Sequence, residues 1–275
     1  MSAAEHIAFK RAQFKELHQS GCFVIPNPWD LGSARYLATL GFKALATTSA
    51  GLAWSLAKRD NKITLEEALA HLQSLAASLD IPLSADFEDG FARDPDEVEA
   101  NVRRACATGL SGLSIEDSTP HGPTPLRTIE DATARMRAAR RAIDAAGGDV
   151  ILVGRAECFF TGQPDLDEVV KRLTAYADEG ADCLYAPGLT TEDQVSAVVR
   201  AVAPKPVNVL VGQPGFTVER LAALGVRRIS VGGSLARSAW GALMTAAQEI
   251  AEHGTFESFR QAANGRSLNE LMARG

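Results

Sequence analysis

"PLSADFEDGFARDPDEVEANVRRACATGLSGLSIED", residues 82–117, is the stretch whose reading decides the fold. It begins as a β-like run, "PLSADFE" (82–88), which is small and apolar until it meets Asp86, Glu88 and Asp89. A helical stretch follows. "DPDEVEANVRRACATG" has acids in its first turn, a basic pair later and Gly109 after its end, which are the start and stop signals of an α-helix. A second β-like run, "GLSIED" (112–117), again ends in acids. Strand alternation would put Asp86 and Glu88 on one side, where two carboxylates repel unless something positive lies between them. A solvated acidic turn explains one such strand end. It does not explain several.

The same β-then-α unit recurs along the chain. Its strands read as "CFVIP" (22–26), "KALATT" (43–48), 82–88, 112–117, "VILVGRAE" (150–157), "CLYAP" (183–187), "VNVLV" (207–211) and "RISVGG" (228–233). Eight units predict an α/β protein of the (β/α)8 barrel type, TIM-like, in one domain over 1–275. A leading helix occupies 1–20 and additional helices occupy 236–275. An open doubly wound sheet is the alternative. It would carry a glycine-rich phosphate loop after its first strand, and "PNPWDLGSAR" has no GxGxxG.

Composition narrows the function. The 275 residues are 46% hydrophobic and 23% charged, enough for a large core. A formal charge of −6 argues against a nucleic-acid partner. No apolar run approaches the ~18 residues of a membrane span. The four cysteines, Cys22, Cys106, Cys158 and Cys183, form no CxxC pair, so a reducing cytoplasm is the expected compartment.

In a barrel, chemistry sits at the C-terminal ends of the strands. Asp86 and Glu88 end strand 3, Glu116 and Asp117 end strand 4, and Arg155 and Glu157 end strand 5. Three neighbouring strands thus bring carboxylates and an arginine to one rim. A hard cation, Mg²⁺ or Mn²⁺, resolves the repulsion, and Arg155 then holds an anionic substrate. The competing reading is a buried salt-bridge network of Arg155 with Glu88 or Glu116. Lysines do not suit imine chemistry, because only Lys58 and Lys62 lie in a loop that could reach the rim. "ATTSAGLAWSLAKRD" (46–60) ends strand 2 in small residues, which suits backbone N–H groups approaching a ligand oxygen or else a plain Ser/Gly turn.

"TTSAGLAWSLAKRD", "ADFEDGF", "GLSIEDS", "VGRAECF" and "PVNVLV", in this order, resemble the isocitrate lyase/phosphoenolpyruvate mutase superfamily. The resemblance is closest to the small members, among them methylisocitrate lyase, phosphoenolpyruvate mutase, phosphonopyruvate hydrolase and oxaloacetate decarboxylase. It implies a (β/α)8 barrel whose last helix is often swapped between subunits, in a homo-oligomer, either a dimer or a tetramer. It implies Mg²⁺ and a small carboxylate substrate, a 2-oxo or 2-hydroxy acid. Carried over by position, Asp86 matches the direct metal-binding aspartate. Glu88, Glu116 and Asp60 match the acids that complete its surroundings. Arg155 matches the substrate-carboxylate arginine, Thr48, Ser49 and Ala50 the strand 2 turn that holds substrate, and Asn208 a polar residue at the end of strand 7.

The departures bear on the reaction. The lyases carry a Lys-x-Cys-Gly-His loop after strand 4, whereas this chain reads "STPHGPTPL" (118–126). Cysteine-based cleavage is disfavoured, and the mutase lysine and asparagine are missing too. His121 is the proton carrier left in that loop, with a solvated histidine as the plain alternative. The loop is expected to act as a lid. What survives is cleavage of a C–C bond, or a C–P bond, beside a metal-stabilised enolate, with decarboxylation at least as favoured as lyase chemistry. Two other readings stay open. One is a non-catalytic dicarboxylate-binding barrel; the other is a phosphate-binding barrel that uses "VGGS" (231–234).

Overall fold

The structure is a computed structural model that describes residues 1–119 and 124–273. The sheet holds eight parallel strands: β1 (Phe23–Ile25), β2 (Leu45–Ala46), β3 (Leu83–Asp86), β4 (Gly112–Glu116), β5 (Ile151–Arg155), β6 (Cys183–Tyr185), β7 (Val207–Leu210) and β8 (Arg228–Ser230). Each lies within a run read from the sequence. Neighbours pair in the order β1-β8-β7-β6-β5-β4-β3-β2. The seam between β1 and β2 is narrowed by Ala46 N–H donating to Pro26 C=O at 3.1 Å and by Asn27 Nδ2 donating to Thr47 C=O at 2.9 Å. The result is a nearly closed (β/α)8 barrel with extra C-terminal helices, as the alternation predicts.

The helices are α1 (Ala3–Leu17), α2 (Leu31–Thr39), α3 (Ser49–Ser55), α4 (Leu65–Ser78), α5 (Pro95–Ala107), α6 (Ile129–Ala145), α7 (Leu166–Asp178), α8 (Glu192–Ala201), α9 (Val218–Ala223), α10 (Ser234–His253) and α11 (Gly265–Met272). Their starts follow the local chemistry. In α5 the Asp94 side chain caps the Glu97 N–H, Pro95 opens the first turn, and Val98, Val102, Ala105 and Cys106 form the buried stripe. In α4 Thr64 and Glu67 form a capping box.

Helix α1 closes the bottom of the barrel. Phe14 is fully buried with Phe23, Ile25, Ile151, Val153 and Cys183. A side chain at residue 112 would put its Cβ 2.6 Å from the Phe14 ring, so this close approach requires Gly112. Two cations of α1 tie it down at the C-terminal ends of its neighbours. Lys10 Nζ donates to Ala76 C=O at 2.7 Å and Leu79 C=O at 2.9 Å, at the end of α4. Arg11 donates to Cys106 C=O at 2.7 Å and Leu110 C=O at 2.9 Å, at the end of α5. Carbonyls at a helix C-terminus are the negative end of its dipole, so the two cations are favourably placed there.

The far end of the chain behaves differently. Of the 20 residues of α10, only Ala236 is buried. Trp240, Leu243, Met244 and Ile250 are exposed. The helix leaves its own barrel, and α11 returns to α2, where Arg35 Nη1 donates to Met272 C=O at 3.0 Å. No helix among the described residues is long and apolar enough to cross a membrane.

Candidate active site

Register sets the site. Glu116 pairs with Arg155, Arg155 with Tyr185, Tyr185 with Asn208, and Asn208 with Arg228. These five residues of β4 to β8 face one cavity of about 760 Å³, together with Asp86 from β3. Thr48, Ser49, Ala50 and Asp60 also line it. So do Ser118, Thr119, Thr124 and Pro125, the described ends of the loop after β4. Those ends are pinned by a bridge between Ser118 and Leu126 and by Thr119 N–H donating to Pro125 C=O at 3.0 Å. His121 lies outside the described residues.

Arg155 is the hub. Its Nη1 donates to Asp86 Oδ1 and Glu116 Oε2, both at 3.0 Å, and its Nε to Glu157. Its guanidinium also stands 5.3 Å from the Tyr185 ring centroid. The salt-bridge network foreseen as the competing reading is therefore present. It includes Glu116, Asp86 and Glu157, and it does not include Glu88. Three carboxyl groups share one guanidinium, so the cluster is net negative only with more than one of them ionised. Burial raises the Glu116 and Glu157 carboxyls despite the opposing pull of Arg155. Asp60 is raised by burial and by the charge of Asp86.

Asp86 is held from two sides. Ser49 gives its Oδ2 a backbone N–H at 3.0 Å and a hydroxyl at 2.9 Å, opposite the Arg155 contact. Ser49 can do so because α3 starts there, with Thr48 as its cap. The sequence left the small residues after strand 2 as an approach for amides to a ligand or as a plain Ser/Gly turn. The structure gives a different reason at Gly51, whose absent Cβ would fall 2.7 Å from Thr48 and 2.8 Å from Trp29. Close packing requires that glycine.

Glu88 corrects the opening expectation. The strand stops at Asp86, and Glu88 has φ 46, in the left-handed region. Alternation therefore does not carry it to the cavity wall beside Asp86. It is buried, its Oε1 has no partner among the described residues, and its carboxyl is pushed up to about 9. Burial is the largest cause, followed by Asp86, Glu116, Asp60 and Asp89. Asp117 also faces away, bonded to Arg172 at 2.8 Å and the Tyr176 hydroxyl at 2.6 Å. Lys58 donates to Glu67 at 2.7 Å, which leaves the cavity without it. The phosphate-loop reading of 231–234 also fails on geometry. The N–H groups of Val231 and Gly232 both donate to Asn27 Oδ1 at 2.9 Å.

Among the described residues, no three acidic, histidine or cysteine side chains converge into a ready-made cation cage. The donors do fit a hard cation of the open kind. They are all oxygens, and Asp60, Asp86 and Glu116 line the same cavity. Mg²⁺ uses one or two carboxylates and keeps its remaining positions for water or substrate.

Sequence reading missed Tyr185, Ser230 and Arg228, which all line the cavity. Inward alternation from Glu116 across the register would have found Tyr185 and Arg228.

Comparison with known proteins agrees with this geometry. A solved protein of Burkholderia cenocepacia J2315, described as a lyase/mutase, superposes with a TM-score of 0.94 at 45% identity, covering 98% of both chains. The oxaloacetate decarboxylase of Pseudomonas entomophila (strain L48) is 28% identical over 227 residues, which is 79% of this chain and 76% of that protein. A phosphonopyruvate hydrolase solved with oxalate and Mg++ has a TM-score of 0.85 at 25% identity, covering 96% of this chain and 95% of the other. Residues 14–251 match the family described as Phosphoenolpyruvate phosphomutase. With its barrel, its acidic strand ends and this match, the chain belongs to the phosphoenolpyruvate phosphomutase family.

Proposed function

We propose that the chain is a Mg²⁺-dependent enzyme, or one using Mn²⁺, that cleaves a carbon–carbon bond of a small 2-oxo or 2-hydroxy carboxylic acid through an enolate. The reaction is of lyase or decarboxylase type. One observation carries the reading: Asp86, Glu116 and Arg155 meet at adjoining strand ends in one cavity, with three carboxyl groups around one guanidinium. The relatives supply the substrate class, since one is named for oxaloacetate and another was solved with oxalate and Mg++.

Asp86 would hold the cation directly, with Glu116 and Asp60 around it. Bound there, the cation supplies Lewis-acid stabilisation of negative charge on the substrate oxygens. Ser49 fixes the Asp86 carboxylate by two hydrogen bonds. Arg155 orients the substrate carboxylate beside Tyr185, with Thr48, Ser49 and Ala50 on the opposite wall and Asn208 on the β7 side. Decarboxylation of such an acid needs no cysteine. The loop 118–126 carries His121 as the group to return a proton to the enolate carbon. Helix α1 seals the barrel below, which keeps water from entering from that side.

The test is a screen of 2-oxo and 2-hydroxy acids, oxaloacetate first and phosphonopyruvate included, read by pyruvate release with and without Mg²⁺. Metal-dependent release from a C–C substrate is expected. Release only from phosphonopyruvate would move the reading to C–P chemistry. No turnover together with dicarboxylate binding would leave a binding barrel.

The exposed apolar side of α10 supports a homo-oligomer. Trp240, Leu243 and Met244 are 42%, 56% and 56% exposed on a helix whose one buried residue is Ala236. A second copy of the chain, receiving α10 by exchange as the family resemblance implies, is the occupant we infer.

A further inference from the structure

Arg228 is a charge without a counter-charge. It opens β8, points inside the barrel and is 5% exposed. Its guanidinium lies over Phe14, 5.8 Å from the ring centroid. Its one hydrogen bond runs from Nη2 to Ser84 Oγ across the barrel, at a long 3.4 Å. Nε and Nη1 are buried with no partner among the described residues.

The surrounding groups do not neutralise it. Cys183 and Tyr185 are the groups of opposite sign that act on it. Burial pushes the thiol up to about 11 and the phenol up to about 12, so both are neutral near pH 7. His18 is held down to about 3 by burial and by the charge of Arg228, so it is neutral as well. An arginine keeps its proton in such surroundings. A buried ion left unpaired is unfavourable, and packed apolar side chains of the same volume would serve the fold better.

The position of the charge suggests its partner. Arg228 lines the same cavity as Asp86 and Arg155, on the side formed with Asn208 and Ser230. Asn208 donates to Ser230 Oγ at 3.0 Å, and its own Oδ1 is also without a partner. The cavity thus has a cation at its acidic rim, Arg155, and a second one at its floor. We propose that Arg228 is an anion-binding residue that receives the second carboxylate of a dicarboxylate substrate. The inference rests on the function proposed above for the class of ligand, and it narrows that class from 2-oxo acids to those with two carboxylates. Arg228 acts as a positioning and specificity residue, separate from bond cleavage.

The test compares the wild type with Arg228→Met and Arg228→Lys. The probes are oxalate, whose carboxylates adjoin, and succinate, whose carboxylates are separated by two methylene groups. Calorimetric titration is run in chloride-free buffer and repeated in chloride, alongside thermal melting. Arg228→Met should weaken succinate binding by about tenfold or more, the loss of a charge-assisted contact. Oxalate affinity should change by less than about twofold on that scale. Its melting temperature without ligand should match or exceed the wild type, because the variant removes an uncompensated charge. If Arg228→Met does not fold, Arg228→Lys should fold and still lose succinate affinity, because the fork is gone. Unchanged succinate binding in a folded variant overturns the proposal. So does a wild-type melting temperature raised by chloride through Arg228 with succinate affinity untouched, which would assign the floor to a free inorganic anion. Lower melting in both variants with unchanged succinate affinity would make Arg228 scaffolding. Succinate binding needs no turnover, so a protein inactive on every 2-oxo acid would overturn the proposed reaction and leave this one standing.

Discussion

Replacing Arg155 by methionine removes the one cation that touches Asp86, Glu116 and Glu157. The three carboxylate side chains are only 19%, 8% and 6% exposed, so water cannot fully take its place. Stranding a buried partner costs about 3–5 kcal/mol. For a chain of this size that corresponds to a fall in Tm of roughly 6–20 °C, at about 2–4 °C per kcal/mol. The upper part of that range holds only where the carboxyls stay ionised. Glu116 and Glu157 are already raised with Arg155 in place, so without it they take up protons readily. The deficit should therefore be large at pH 8 and shrink toward pH 5. Millimolar Mg²⁺ should restore more stability to the variant than to the wild type. Arg155→Lys keeps the charge but cannot supply the Nε and Nη1 contacts together, so its loss should be smaller, about 1.5–3 kcal/mol. Calorimetric melts at the two pH values, with and without Mg²⁺, measure all of this. The kcat/KM of Arg155→Lys should also fall by about tenfold or more, since lysine cannot copy the fork. A methionine variant that melts within about 2 °C of the wild type at pH 8, under 1 kcal/mol by the same conversion, would refute the reasoning.

Three further outcomes are expected. Asp86→Ala should abolish metal-dependent turnover and weaken Mg²⁺ binding while the protein stays folded; wild-type turnover and metal affinity in that variant would refute the site. Glu88, pushed up to about 9 in the fold, titrates near 4.3 when unfolded, roughly the free glutamate value. Between those values the unfolded chain binds fewer protons, so metal-free stability should fall as pH rises from about 4.5 to about 9. Glu88→Gln should flatten that slope, and an equally steep curve in the variant would refute the assignment. Leu243→Asp, on the exposed side of α10, should shift the protein to a smaller species in light scattering; a wild type that is already monomeric would refute the exchange of helices.

The fold was readable because a strand buried on both faces and a capped amphipathic helix leave different local marks. "PLSADFE" and "DPDEVEANVRRACATG" declare themselves within a few residues. Asp86, Glu116 and Arg155 were readable because strand exits in a barrel converge. Glu88 was misplaced because alternation holds only while the backbone stays extended, and the chain turns left-handed at that residue. The packing reason for Gly51 was not readable because its neighbour, Trp29, lies in another loop. Arg228 could not be recognised locally. Its isolation depends on Phe14, Ser84 and Cys183 coming from three distant parts of the chain. Nothing in the composition of α10 announces that it leaves its own barrel, since an apolar stripe looks the same whichever copy it covers.

The plug formed by α1 gives the barrel a single doorway. With Phe14 wedged among the lowest strands and Lys10 and Arg11 bolted to α4 and α5, nothing passes through the bottom. Traffic then runs last in, first out. Under the proposed cleavage of one substrate into two products, the fragment nearer the mouth would depart first, and the fragment on the floor would wait behind it. Steady-state kinetics would carry that signature. The late-leaving fragment competes with incoming substrate for the empty cavity, and the early-leaving one inhibits without competing.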